Sequence, residues 1–286
     1  MRSPDQPAAT PDPGAGVRGP LSGRVAVVTG GGRGIGAATS RRLATLGAHV
    51  VATYRHDRGS AEELASAIIV AGGSAEIEAL DIADTSQVHG LVERLLARHG
   101  HVDVLVCNAN AAFRRAPLAE LDADDIAGPV AVNLRAAHIL TTSLVEGMRA
   151  SGWGRLIYVG SRHAQGPSAP GMAVNGTAKA ALAGYLRYVV DECATGGVTA
   201  NIVSPGMVDT DASRGIGLPD RVIRLLVAAT PSGRITQPDE VAEAIALLVT
   251  AGDLLNGIDL PVTGGLNHPL PLTRLLPYAS PPPINH

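Results

Sequence analysis

Aromatic side chains make up only 2% of this 286-residue sequence, with a single Trp and a single Phe. Any core must therefore be built from Ala, Val, Leu and Ile, the filling used by a parallel sheet covered by helices on both faces. Cysteine is almost absent. Cys107 and Cys193 stand in no CxxC or other ligand spacing, so two reduced, separate thiols are expected rather than a disulfide or a metal site. Lysine is scarcer still: of 23 basic residues only Lys179 is a lysine, and the rest are arginines. No basic run exceeds a pair such as Arg41-Arg42, and the formal net charge is −3. That excludes the clustered positive footprint of a nucleic-acid surface. No run is long and apolar enough to cross a bilayer. The first twenty residues, rich in Pro, Ala and Gly, lack the apolar core of a signal peptide. A cytoplasmic protein with no membrane partner is expected.

What is present is 45% apolar residues against 17% charged, in a length that suits one α/β domain. Short apolar runs at 24–29, 49–54, 75–80, 102–107, 155–159, 198–203 and 258–262 read as strands. Between them, helical spacing covers 34–46, 60–71 (with Ser60 as N-cap), 86–99, 124–150 and 173–195, and Pro238 opens a last helix. Residues 209–236 read as a helical lid, with 113–118 and 164–172 as further pocket wall. Such alternation predicts one doubly wound, Rossmann-type α/β domain over 21–266, with a seven-stranded, mainly parallel sheet flanked by helices. Residues 1–20 read as a disordered leader and 267–286 as a proline-rich tail.

Directly after the first expected strand comes Thr29-Gly30-Gly31-Gly32-Arg33-Gly34-Ile35-Gly36. Glycines here let the chain turn tightly and approach a pyrophosphate, which a helix N-terminus then receives. The spacing TGxxxGIG resembles the short-chain dehydrogenase/reductase family, and the likeness extends over about 24–265. Asp81, followed by Ile82, matches the acid that the family places at the adenine. Asn108-Ala109-Asn110 is similar to the NNAG turn, with Cys107 for its first Asn and Asn110 for its Gly. Asn133 matches the Asn of a proton-relay water. Ser204-Pro205-Gly206, with Val208 and Thr210, resembles the segment that seats a nicotinamide. The resemblance implies cofactor contacts at Thr29, Gly30, Arg33, Gly34, Ile35, Gly36, Arg55, Asp81, Ile82, Asn108, Lys179, Pro205, Gly206, Val208 and Thr210. Because the second strand ends Thr53-Tyr54-Arg55-His56, with no acid before Asp57, NADP(H) is expected over NAD. Arg33 and Arg55 would meet its 2′-phosphate.

The same resemblance implies a catalytic Ser at Ser161, and a Tyr four residues before a Lys on the next helix, since positions four apart share a face. Lys179 matches the lysine, but Asn175 stands where the tyrosine belongs. A carboxamide does not titrate, so it is no general acid or base. His163 is the best titratable substitute; Tyr158 and Tyr185 are the nearest tyrosines. The candidate catalytic set is Ser161, Asn175, Lys179, Asn133 and His163.

The function these residues imply is an NADPH-dependent ketoreductase with a modified proton path, acting on a hydrophobic or aromatic, polyketide-like carbonyl. Two alternatives stay open: an impaired subunit partnering an intact homologue, or a non-redox cyclase or dehydratase on the same scaffold. High Ala, Gly and Arg contents with almost no Lys point to a high-GC bacterium, and together with the altered active site to secondary metabolism. The resemblance also implies a homodimer or homotetramer, or a hetero-oligomer with an intact member of the family.

Overall fold

The computed structural model describes residues 19–166, 171–214 and 220–266, apart from the side chains of Ala212 and Val222. Nearly all of the expected leader and the whole proline-rich tail lie outside these residues. Among them, seven strands form one sheet: β1 (Val25–Val28), β2 (His49–Tyr54), β3 (Ser74–Ala79), β4 (Val104–Cys107), β5 (Gly154–Val159), β6 (Val198–Pro205) and β7 (Asp259–Val262). Their order is β3-β2-β1-β4-β5-β6-β7, and every neighbouring pair is parallel.

Successive residues of a strand face opposite sides of a sheet, and here both sides are buried. Val27, Val51, Leu105, Leu156 and Tyr158 enter one apolar cluster. Ala26, Val28, Val50, Val104, Val106, Ile157 and Val159 enter the other. Helices α1 (Gly34–Thr45), α2 (Arg58–Val70), α3 (Thr85–His99), α4 (Ala123–Ala150), α5 (Ala173–Tyr188), α6 (Asp211–Arg214), α7 (Asp220–Ala229) and α8 (Pro238–Thr250) connect the strands. The first cluster is closed by α3, α4 and α5, and the second by α1, α2 and α8. Each buried Val or Leu contributes roughly 1.5–3 kcal/mol, so an aliphatic interior holds the layers together without aromatics.

Local signals fix the helix starts. Ser60 is not the cap of α2. The Asp57 carboxylate accepts the Ser60 N–H at 3.0 Å, so the helix begins at Arg58, because an N-cap acid takes an amide two or three residues on. Asp122 and Asp125 form a reciprocal capping box at α4, which then runs through Pro129. The helix expected over 173–195 ends at Tyr188 and gives way to a π-helical turn, Val189–Cys193. The expected lid over 209–236 carries α6 and α7, and residues 215–219 lie outside the described ones. Its two feet meet in a parallel bridge between Val208 and Thr236.

The chain winds outward from β1 to β3, then returns to lay β4 against the other side of β1. At such a switch point the connecting loops diverge and leave a crevice beyond the carboxyl ends of the strands. None of the described helices is long and apolar enough to cross a membrane.

Candidate active site

A crevice of about 500 Å³ opens at that switch point. Its floor is the glycine loop, where Gly30 (φ 63°) and Gly34 (φ 53°) take left-handed backbone that other residues adopt at a cost. At Gly36 a Cβ would stand 2.1 Å from the Gly30 carbonyl oxygen. Only glycine lets the first turn of α1 close on the loop there. Gly30, Arg33, Gly34 and Ile35 line the crevice, while Thr29 is buried behind them. The Thr29 Oγ1 accepts the N–H groups of Asn108 and Ala109, each at 3.0 Å. In return the Asn108 side chain donates to the carbonyls of Thr29 at 2.9 Å and Gly30 at 3.1 Å. The turns after β1 and β4 are thereby tied across the switch point.

At one mouth of the crevice stand Arg33 and Arg55, both exposed. Among the described residues neither makes a side-chain ion pair at contact distance. Asp57 also lines this mouth, but its carboxylate is occupied. It accepts the Ser60 hydroxyl at 2.7 Å and the Ser60 N–H at 3.0 Å. Those hydrogen bonds, with Arg33 nearby, hold it below the usual carboxylate range. Two free guanidiniums and a committed acid suit a dianionic phosphate better than a ribose diol. Leu80 and Ile82 line the adjoining wall. The Asp81 carboxylate turns instead to the Ala83 N–H at 2.9 Å.

The far end of the same crevice brings together Asn110, Ser161, Asn175 and Lys179. Ser161 follows β5, and its Oγ accepts the His163 N–H at 3.2 Å, which leaves its own proton free to donate. Asn175 and Lys179 are buried on one face of α5. The Asn175 Oδ1 accepts from the Asn110 side chain at 3.4 Å, so the Asn175 amide hydrogens remain for a ligand. The Lys179 ammonium donates to the Val159 carbonyl at 2.8 Å. Burial pushes this lysine down to about 8 and the nearby Cys107 thiol up to about 12. Loss of hydration penalises the ammonium in one case and the thiolate in the other.

Other candidates stand back from the crevice. Asn133 is buried and engaged, accepting the Ala111 N–H at 3.1 Å and donating to the Pro129 carbonyl at 3.0 Å. It shares with Lys179 a separate cavity of about 20 Å³, room enough for one water. His163 orients Ser161 through its backbone, and its ring is not part of the lining. Tyr158 lies wholly in the core, its hydroxyl 2.6 Å from the Thr141 Oγ1. The Tyr185 hydroxyl meets His138 on α4 at 3.1 Å. Pro205 and Thr210 line the crevice, whereas Gly206 packs by Thr263 and Arg162 and Val208 anchors the bridge to Thr236. Among the described residues, none of 113–118, 164–166 or 171–172 lines the crevice; residues 167–170 are outside the described ones. Sequence reasoning missed Thr53, whose Oγ1 accepts the Gly30 N–H at 3.0 Å. Its signal was only a polar residue near the end of a buried strand.

Residues 30–267 match the family model described as enoyl-(acyl carrier protein) reductase. A cis-4-hydroxycyclohexanecarboxylate dehydrogenase of Sinomonas cyclohexanicum is 37% identical over 85% of this chain and 96% of its own. A 3-oxoacyl-(acyl-carrier-protein) reductase of Pseudomonas aeruginosa is 32% identical over 86% of this chain and 98% of its own. Among solved structures, a short-chain dehydrogenase from Burkholderia cenocepacia in complex with NADP superposes with a TM-score of 0.76. It is 34% identical over 86% of this chain and 98% of its own.

Proposed function

Because the chain belongs to the short-chain dehydrogenase/reductase family, we propose that it is an NADP(H)-dependent oxidoreductase that interconverts a carbonyl and a hydroxyl on a hydrophobic or aromatic small molecule. The observation that carries this reading is one crevice with two free arginines at one mouth and Ser161, Asn175 and Lys179 together at the other. The residues fit the dinucleotide: a glycine cradle too tight for a Cβ at Gly36, and Arg33 and Arg55 for the 2′-phosphate. The bound nicotinamide would supply or accept the hydride.

The chain's own residues hold the reacting oxygen and move the proton. The Ser161 hydroxyl and the Asn175 amide donate to the carbonyl oxygen and polarise it, which stabilises the charge that develops there. Neither group releases a proton near neutral pH. Lys179, buried and brought down to about 8, is the titratable group beside them. Its ammonium supplies the proton through water, and the cavity it shares with Asn133 has room for one such water. The preference for an apolar substrate is read from the apolar composition of α7 (Ile223, Leu225, Leu226 and Val227) between the feet of the lid; none of these four lines the crevice.

A second reading, a cofactor-binding subunit that needs an intact family partner, is favoured by one observation. Among the described residues no tyrosine lines the Ser161 end of the crevice. Titration calorimetry with NADPH and NADH, on wild type and Lys179→Ala, followed by turnover of aryl ketones, tests the proposal. NADPH-selective, lysine-dependent binding with slow turnover supports the reductase. Binding without turnover supports the partner subunit, and no binding of either cofactor overturns both.

A further inference from the structure

At the amino-terminal end of the sheet, away from the crevice, three side chains from three elements converge. His49 opens β2, Glu76 lies on the edge strand β3, and His99 is the last residue of α3. Strand pairing places His49 opposite Ser74 and Val51 opposite Glu76, so His49 and Glu76 share the sheet face that α3 covers. One ring nitrogen of His49, one of His99 and one Glu76 oxygen all lie within 4.8 Å of one another.

The histidine rings are held for this arrangement. The His49 Nδ1 is 2.7 Å from the Ser74 hydroxyl, which fixes the ring and turns Nε2 inward. That Nε2 is buried and has no hydrogen-bond partner among the described residues, an expensive state for a polar atom. It faces the Glu76 Oε1 at 3.8 Å, too far for a hydrogen bond. Two ligand bonds of roughly 2.0–2.2 Å, one to each atom, span such a gap at an open angle. The His99 Nε2 stands 2.9 Å from the same oxygen and would draw back by a few tenths of an ångström. A ligating histidine whose other nitrogen is held by a hydroxyl or carbonyl is the usual outer arrangement of a metal centre.

We propose that His49, Glu76 and His99 form a binding site for a divalent transition-metal ion of the zinc class. Two imidazoles and a carboxylate select Zn2+, Ni2+, Cu2+ or Co2+ over Mg2+ and Ca2+. The partly exposed flank leaves a position for water. One cation sits there already: Arg98 bonds the Glu76 Oε1 at 2.8 Å and the Glu78 Oε1 at 3.1 Å. A metal ion displaces this guanidinium from Glu76, and Glu78 retains it. The metal then clips edge strand β3 to β2 and α3, remote from the reaction.

Co2+ absorption titrations and Zn2+ calorimetry on the full chain, stripped of metal, test the proposal. Wild type is expected to bind one ion per chain, to show a visible cobalt band that Zn2+ abolishes, and to gain several degrees in Tm with Zn2+. His49→Ala and His99→Ala lose all three signals. Arg98→Gln removes the competing cation and tightens binding several-fold, an increase that a misfolded variant could not give. NADPH affinity stays the same with and without the ion. Absence of a cobalt band and of binding heat in wild type overturns the site, as does His49→Ala retaining wild-type affinity.

Discussion

Asn110 and Asn175, two of the positions (with Cys107) at which this chain departs from the motifs it resembles, are hydrogen-bonded to each other: the Asn110 Nδ2 donates to the Asn175 Oδ1 at 3.4 Å. They come from opposite sides of the crevice, one from the turn after β4 and the other from α5. Two changes in contact act as one unit.

The contact predicts non-additivity. Asn175→Tyr alone should raise the rate of carbonyl reduction only modestly, because the phenol meets the Asn110 side chain. With Asn110→Gly added, kcat/KM should rise by about 10²–10⁴-fold, the ordinary worth of a positioned general acid. A double-mutant cycle checks this, and additive effects would separate the two residues.

At the other mouth, Arg33 and Arg55 are expected to set cofactor choice. Arg55→Glu should weaken NADPH binding by about 10²-fold, as the loss of a charge-assisted hydrogen bond and a new like charge would do. NADH binding should hardly change. Fluorescence titration with both cofactors measures the ratio.

Lys179 ties activity to pH. With a value of about 8, it is protonated below that pH, so reduction should fall as pH rises through about 8. Oxidation should rise over the same range. Stability follows the opposite sign from the usual lysine. The unfolded chain holds the proton up to the ordinary value of 10.5, so the unfolded state binds more protons between about 8 and 10.5. Stability therefore increases with pH there. Cys107, pushed up to about 12 from 9.0, offsets this gain between pH 9 and about 10.5 and reverses the trend above that. The expected gain is about 1 kcal/mol between pH 7 and pH 9. Urea unfolding should show it in wild type and not in Lys179→Met.

Arg162 is the converse of a useful charge. It is buried, and its Nε and Nη2 have no hydrogen-bond partner among the described residues. Burial lowers its pKa, the mark of a guanidinium that loses water without gaining an acid. Arg162→Met should leave stability unchanged or raise it by about 1–4 kcal/mol, as replacement of buried charge by apolar packing often does. A fall in urea midpoint would show that Arg162 has a partner in the folded state.

Most of the fold was readable because its signals are local and repeated. Each of the seven apolar runs became a strand within a residue or two; the central strands, buried on both faces, have few polar positions to confuse their edges, unlike the part-exposed β3 and β7. Capping was harder to place. Ser60 and Asp57 both offer oxygen to the start of α2, and their order along the chain does not say which is the acceptor. At the site, the glycine loop was legible from its place between a strand and a helix, and Ser161 and Lys179 from their likeness to the motifs of the family. The Asn110–Asn175 contact joins residues 65 positions apart, and no short-range pattern encodes such a meeting. His163 stood out in the sequence by its chemistry, yet the backbone of that turn, rather than its ring, meets Ser161. Ring direction is decided by tertiary packing.

The bridge between Val208 and Thr236 bears on how such a protein changes over generations. It is anchored by the Asp209 N–H on the Thr236 carbonyl at 2.9 Å and the Thr236 N–H on the Met207 carbonyl at 3.2 Å. Everything between those two feet is in effect a cassette, entered and left at a single point. Replacements inside it beyond Thr210 and Asp211, which line the crevice, leave the sheet register and the glycine loop in place. Ligand preference is thus free to drift, or to be engineered by grafting another segment of any length, while the rest of the molecule keeps its architecture.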